Sequence, residues 1–399
     1  MPFHLKSFFK PALTATVAAA CLGLPGAYAQ KAPEPLKIGV ILPLSGPFAY
    51  YGEQISNGIK VYVKEHGDVV AGRKIELIYK DDTGVAPEID RRMAQELLVT
   101  DKADMLAGFA LTPSALAAAP VATQAKRPMI VMNATSTIVP SRSPFIVRVS
   151  SSLPQVTIPL ADWAYKNKIR KVYTMMADYA PGVDTEKAFI KEFDRLGGTI
   201  VGSVRVPITN NDFGSYVQKI KDVKPDAAFV FLPSASAAAA FVKEYRERGL
   251  REAGIRLLGI HDLADETFID SLGDGIIGTI TSGPYSPTHD SDVNRKFIKA
   301  YAEMFGPNAR ADYLSSGGYD GMAAIYAALK KTNGKTADGT KVIDAFRGLS
   351  FEGVRGPITI DPETRDITQN IYLRKVERDG NHLVNVEFET VPNVKAPKP

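Results

Sequence analysis

From residue 36 onward, short apolar runs alternate with stretches whose apolar residues recur every three to four positions. Strand and helix patterns in that order build parallel sheets through right-handed crossovers. The runs at 37–44, 74–80, 104–109 and 128–134 predict strands, with helices centred near Ile59, Met93 and Ala118 between them. A further run at 145–149 leads into Ser150-Ser151-Ser152-Leu153-Pro154, where a second alternation begins. It opens with a helix over 155–166 and continues with strands at 171–177, 199–206, 227–232, 256–260 and 276–282. The fold class is α/β: two successive Rossmann-like sheets, with no repeat at solenoid periods.

After Gly283-Pro284-Tyr285-Ser286-Pro287 the pattern turns helical at 293–305, 319–331 and 339–349. Those apolar faces need a sheet to cover, and the first sheet has too few helices of its own. The chain then ends in strands at 358–360, 370–376 and 383–389, the last two joined at Asp379-Gly380, a hairpin signal. This predicts one lobe from 36–152 with 288–354, and a second from 153–284 with 358–391. Three crossings, near residues 152, 285 and 355, would form a hinge around a cleft. Residues 392–399 carry prolines and no apolar pattern, and are expected to be a mobile tail.

Before the first strand the pattern is different. Lys6 and Lys10 precede an apolar stretch over 11–24 and the small residues of Ala27-Tyr28-Ala29. That layout predicts a secretory signal peptide over 1–29, cleaved after Ala29, and a periplasmic location. The single cysteine, Cys21, lies inside it, so the mature chain is expected to form no disulfide and no thiolate metal site. A lipid-carrying Cys21 after Ala18-Ala19-Ala20 is the lesser alternative, because the apolar stretch continues past it to Leu24. The formal charge of +4 is nearly balanced and has no long basic runs, which excludes the usual footprint of a nucleic-acid partner.

Four stretches carry a family resemblance: KIGVILPLSGPFAYYGE, ELIYKDDTGVAPEIDRRMAQELL, GGYDGMAAIYAALKKT and GPITIDPETRDITQNIYLRKVE. In this order they resemble the periplasmic solute-binding proteins of the leucine/isoleucine/valine-binding type, over residues 36–391. The resemblance implies the type I periplasmic-binding fold and a monomeric protein without cofactor. It also implies lobe closure on a small carboxylate or amino acid and delivery to the permease and ATPase subunits of an ABC importer.

Independently of family, ligands of open α/β sheets bind beyond the carboxyl ends of strands, where helix N-termini favour an anion. The loops at 44–52, 108–114 and 133–137 occupy that position in the first lobe. The resemblance places the ligand carboxylate at Thr112, Ala134, Thr135 and Ser136, and an aromatic wall at Tyr51 and Tyr319, with Phe48 and Tyr50 near Tyr51 and Phe109 a further ring beside a cleft-facing His261. Isolated Ser and Thr in such loops otherwise cap helices. From the second lobe, Tyr179, Ser234 and Ser236 stand at strand ends and are expected to face the cleft.

The family pattern has an acidic residue after the strand at 256–260, where this chain has His261-Asp262. If Asp262 faces the cleft it can pair with an ammonium group, and the ligand is an amino acid. If His261 does, the site suits an apolar or aromatic carboxylate, a hydroxybenzoate included. The last third of the chain resembles aromatic-acid-binding members, and the aromatic acid is the preferred reading, with a branched-chain or other hydrophobic amino acid as the alternative. A ligand-sensing receptor domain is a more remote one.

An enzyme is not expected. The sequence has no Gly-x-Ser-x-Gly elbow, no His-Glu-x-x-His pair and no phosphate loop ending in Lys-Ser or Lys-Thr. His4, His66, His261, His289 and His382 are scattered without metal spacing, and Asp81-Asp82 reads as a strand-end pair capping a turn.

Overall fold

The computed structural model describes residues 1–8 and 34–398, so residues 9–29 of the expected leader, with Cys21 and Ala29, lie outside the described residues. No helix among the described residues is long and apolar enough to cross a membrane.

The first sheet contains β1 (Leu36–Leu42), β2 (Val69–Val70), β3 (Arg73–Asp81), β4 (Met105–Gly108), β5 (Met129–Val131) and β6 (Ile146–Arg148), in the order β2-β3-β1-β4-β5-β6. Only the β2–β3 pairing is antiparallel. Its central strands are apolar throughout because helices cover both faces, and successive residues serve opposite sides. Ile38, Val40 and Leu42 join one apolar cluster, whereas Ile41 joins another with residues of α2 (Pro87–Gln95) and α3 (Thr112–Ala125). The first cluster lies under α1 (Ala49–His66).

The second sheet contains β7 (Lys171–Ala177), β8 (Thr199–Val206), β9 (Ala227–Phe231), β10 (Arg256–Ile260), β11 (Ile280–Gly283), β12 (Ser350–Gly353), β13 (Gly356–Ile360), β14 (Ile367–Asp379) and β15 (His382–Lys395). They run in the order β12-β13-β14-β11-β10-β9-β7-β8, with β15 paired to β14. One face is covered by α4 (Leu153–Lys166) and α5 (Ala180–Leu196), the other by α6 (Gly214–Val223) and α7 (Ala235–Glu247). The last helices, α8 (Asp292–Phe305), α9 (Tyr313–Lys331) and α10 (Gly339–Phe346), return to the apolar cluster beneath α1.

The α1–α9 crossing depends on two glycines. A Cβ on Gly58 would stand 1.9 Å from the carbonyl oxygen of Ser315, and one on Gly318 would stand 2.2 Å from that of Ile55. This packing explains why α9 begins at Tyr313 and not near residue 319, as the weak helix formers Ser315, Ser316, Gly317 and Gly318 suggest. A capping box starts it: the Ser315 N–H donates to Asp312 Oδ1 at 2.7 Å and the Asp312 N–H to Ser315 Oγ at 2.8 Å.

Other elements also differ from the sequence pattern. The strand expected at 276–282 starts only at Ile280, because Ile269–Ile276 is wound into 3-10 turns and Gly278 has a φ of 82°. The chain joins the second sheet at β12, earlier than the crossing expected near residue 355. The turn after β12 nevertheless stays anchored to the first lobe. The Arg355 guanidinium pairs with Asp320 of α9 at 2.9 Å and donates to the carbonyl of Val149. Residues 392–395, expected as tail, continue β15, and the Val394 carbonyl accepts from Gln155 Nε2 at 2.6 Å.

Candidate functional site

Two switch points set the site. In the first sheet the chain leaves β1 for β3 on one side and β4 on the other; in the second, β7 lies between β8 and β9. Loops at the carboxyl ends of these strands face each other.

From the first lobe, Tyr50 and Tyr51 stand in the opening turn of α1. The Tyr51 hydroxyl lies 2.8 Å from Asp262 Oδ1 and 2.9 Å from the Pro233 carbonyl, to which Tyr50 also donates at 3.0 Å. Tyr313, in the first turn of α9, donates to the same Asp262 oxygen at 2.9 Å. Phe48 packs edge-on against Tyr51 with ring centroids 5.9 Å apart.

Burial pushes the Asp262 carboxyl up to about 6, although the phenols of Tyr51 and Tyr313 favour its ionised form. Its Oδ2 lies 3.3 Å from His261 Nε2 without making a hydrogen bond. Burial, and then the Arg374 charge, hold the His261 imidazole well below its ordinary value. The contact is therefore between a carboxyl group and a neutral ring, not an ion pair. The His261 ring packs against Tyr313, tilted at 59° with centroids 4.1 Å apart, and neither ring nitrogen has a hydrogen-bond partner among the described residues. Tyr179 immediately precedes α5, stacked beside Phe231, and burial followed by the Asp262 charge raises its phenol well above the ordinary value. Both walls sought in the choice between His261 and Asp262 are thus present, with Asp262 already held by phenols.

The opposite wall is made of neutral donors. Thr112 opens α3, and its Oγ1 accepts from the Ser136 N–H at 3.3 Å. Ala134 donates its N–H to the Phe109 carbonyl at 3.0 Å, and the Thr135 carbonyl accepts from the Leu153 N–H at 3.1 Å at the start of α4. The Thr135 hydroxyl makes no hydrogen bond among the described residues.

This loop is supported from behind by a residue that the sequence pattern did not single out. Arg148 is fully buried at the end of β6 and donates from Nη1 to the carbonyls of Ala134 at 3.1 Å and Ser136 at 2.7 Å. Asp366 grips its other edge in two bonds of 2.9 and 2.6 Å. The only signal was a charge inside the apolar run Ile146-Val147-Arg148-Val149.

Residues 35–381 match the model of a family described as periplasmic binding protein. The chain belongs to the periplasmic binding protein family. Relatives of this periplasmic binding protein include Leu/Ile/Val-binding protein homolog 6 of Brucella melitensis, 40% identical over 96% of each chain. A solute-binding protein of an ABC transporter from Rhodopseudomonas palustris BisB5, solved with 3,4-dihydroxybenzoic acid, is 49% identical with a TM-score of 0.87, over 91% of this chain and 99% of that one. Another from R. palustris HaA2, solved with p-hydroxybenzoic acid, is 38% identical with a TM-score of 0.87, over 90% of this chain and 98% of that one. The two-lobed type I periplasmic-binding fold is common to them.

Within this binding protein the expected site residues separate. Phe48, Tyr51, Thr112, Ala134, Thr135, Ser136, Tyr179, Ser234, His261 and Asp262 stand on the facing loops. Four do not join them with their side chains, the first being Ala134, whose methyl is buried in the apolar cluster of Phe109. Tyr319 lies in the second turn of α9 and donates to Glu65 at 2.8 Å beside Tyr62, because the helix starts six residues early and directs it to α1. Phe109 has a φ of 62°, and its ring is wholly buried in the apolar cluster with Ile41 and Val131. Ser236 is exposed and lies 3.4 Å from Ser234 Oγ, which caps α7 by accepting from the Ala237 N–H. Tyr313 and Arg148 were missed.

Proposed function

We propose that this protein captures a small aromatic carboxylate of the hydroxybenzoate class in the periplasm and delivers it to an ABC importer. The observation that carries the ligand class is the Asp262 carboxyl, buried among Tyr51, Tyr313 and Tyr179 and taking two phenolic donors on one oxygen. A wall that already accepts phenols is suited to a ring bearing another, with the neutral His261 at hand as a further partner. The ligand carboxylate would lie on the first lobe, against the Thr112 and Thr135 hydroxyls and the start of α3, where N–H groups and the helix dipole substitute for a cation. The solved relatives holding 3,4-dihydroxybenzoic and p-hydroxybenzoic acids support this assignment.

A second reading, a hydrophobic amino acid, is favoured by Asp262 itself, which could meet an ammonium group, and by the names of the curated relatives. Refolding the protein free of carried ligand and titrating 4-hydroxybenzoate, benzoate, leucine and valine calorimetrically separates the two. Selective binding of the aromatic acids is expected; binding of leucine or valine alone overturns the reading. The ligand would be recovered unchanged after incubation, as a carrier requires and an enzyme would not allow. A cleaved leader, a monomeric state and permease and ATPase partners complete the reading.

A further inference from the structure

The Ser136–Thr137 loop, expected to hold the ligand, is instead engaged by the opposite lobe. Asp184, near the start of α5, accepts from Ser136 Oγ at 2.6 Å, the Thr137 N–H at 3.0 Å and Thr137 Oγ1 at 3.2 Å, all on its Oδ2. No cation lies within ion-pair distance of it among the described residues. Its charge is carried by three neutral donors from across the cleft, an arrangement that strengthens each bond over a neutral pair. On its own lobe the loop is held by Arg148, which fixes the Ser136 carbonyl, while Asp366, from the second-lobe segment before β14, fixes Arg148.

We propose that Asp184 is an interlobe latch: a positioning residue that seats the carboxylate-binding loop against the second lobe and sets the fraction of protein closed before ligand arrives. The inference rests on the lobe-closure reading above but not on the identity of the ligand. All three bonds join opposite lobes, so opening must break them, whereas the hydrogen bonds of Arg148 to the loop lie within one lobe and survive. The Ser136 hydroxyl is committed to Asp184, which leaves Thr135, with its unused hydroxyl, as the direct partner of a ligand acid group. A latch of this kind also adds selectivity. A ligand whose negative group extended toward Ser136 would meet the Asp184 carboxylate and be repelled. Because apparent affinity scales with the population of the competent form, weakening the latch weakens binding without removing a ligand contact.

The test uses spin labels at Lys64→Cys and Lys219→Cys, exposed positions on the two lobes, in a Cys21→Ser background. In the ligand-free protein, Asp184→Ala should shift the interlobe distance distribution toward longer separations. It should also weaken 4-hydroxybenzoate binding about tenfold, chiefly through faster dissociation. Ser136→Ala/Thr137→Val, made on the other lobe, removes two of the three bonds and leaves the Thr137 N–H, so it should shift both readouts the same way to a smaller extent and add nothing to Asp184→Ala; this pair carries the test if Asp184→Ala does not fold. An unchanged ligand-free distribution with affinity within twofold overturns the latch. So does full additivity between Asp184→Ala and Ser136→Ala, which would make Ser136 a direct ligand donor. If 4-hydroxybenzoate does not bind at all, the ligand reading falls, and the ligand-free distances still decide for or against the latch.

Discussion

The two walls of the cleft solve the same problem with opposite chemistry. The first lobe offers hydroxyls and main-chain groups on a loop braced by one buried ion pair, Arg148 with Asp366, the latter reaching in from the strand connection before β14. The second presents titratable groups out of water: Asp262 at about 6, a neutral His261, and Arg374, with two unused donors and its charge opposed by burial. A wall that never changes its charge can receive an anion at any ordinary pH. A wall of buried acids and bases selects by hydrogen-bonding pattern and pays in stability.

Removing the brace should blur the contrast most. Arg148→Met leaves the Asp366 carboxylate buried without its partner and two loop carbonyls unpaired, and should destabilise the protein by about 3–5 kcal/mol in denaturant unfolding. Binding should be lost with it.

The next effect isolates the second wall. The folded value of Asp262, about 6, is raised above the ordinary 3.8, so its contribution is fully present below 3.8 and is lost as pH rises through 6. Asp262→Asn should lessen the decline over that window by up to ~3 kcal/mol, leaving the share of Asp265, also raised to about 6, while Thr135→Val changes neither. Unfolding curves at pH 4, 5, 6 and 7 measure both.

Thr135→Val should weaken an aromatic acid about tenfold, near 1.4 kcal/mol, with ligand-free melting unchanged. A large drop in melting temperature would make Thr135 structural. Asp262→Ala should abolish binding of an amino acid and weaken 4-hydroxybenzoate, whose ring hydroxyl meets that wall, yet alter benzoate far less, since the first wall holds the carboxylate. The smallest effect belongs to Tyr319→Phe, which removes the bond to Glu65 outside the cleft. It should cost about 1 kcal/mol of stability and change affinity less than twofold in calorimetry.

The sequence patterns located what depends on local periodicity and left out what depends on distant partners. The runs at 171–177, 199–206 and 256–260 coincide with strands because each is a short apolar segment flanked by turns. Tyr313 escaped notice because Ser315-Ser316-Gly317-Gly318 reads as a loop until α1 is packed on it. Asp184 and Arg148 looked like ordinary charges, since their partners lie 48 and 218 residues away along the chain. Family resemblance located the facing loops, but it could not tell that Tyr319 turns away from them or that the Ser136 hydroxyl is already taken.

The return of the chain to its first lobe also bears on the order of synthesis. When residue 284 leaves the ribosome, most strands of both sheets exist, yet α9, which covers the first, and β14, which pairs with β11, β13 and β15 in the second, are still missing. Only the face of the first sheet toward α2 and α3 can close early; the clusters under α1 and on both faces of the second sheet wait for the final quarter of the polypeptide, so neither lobe completes its fold before then. A nascent molecule delayed in this way stays threadable, the condition that passage through a narrow membrane channel requires.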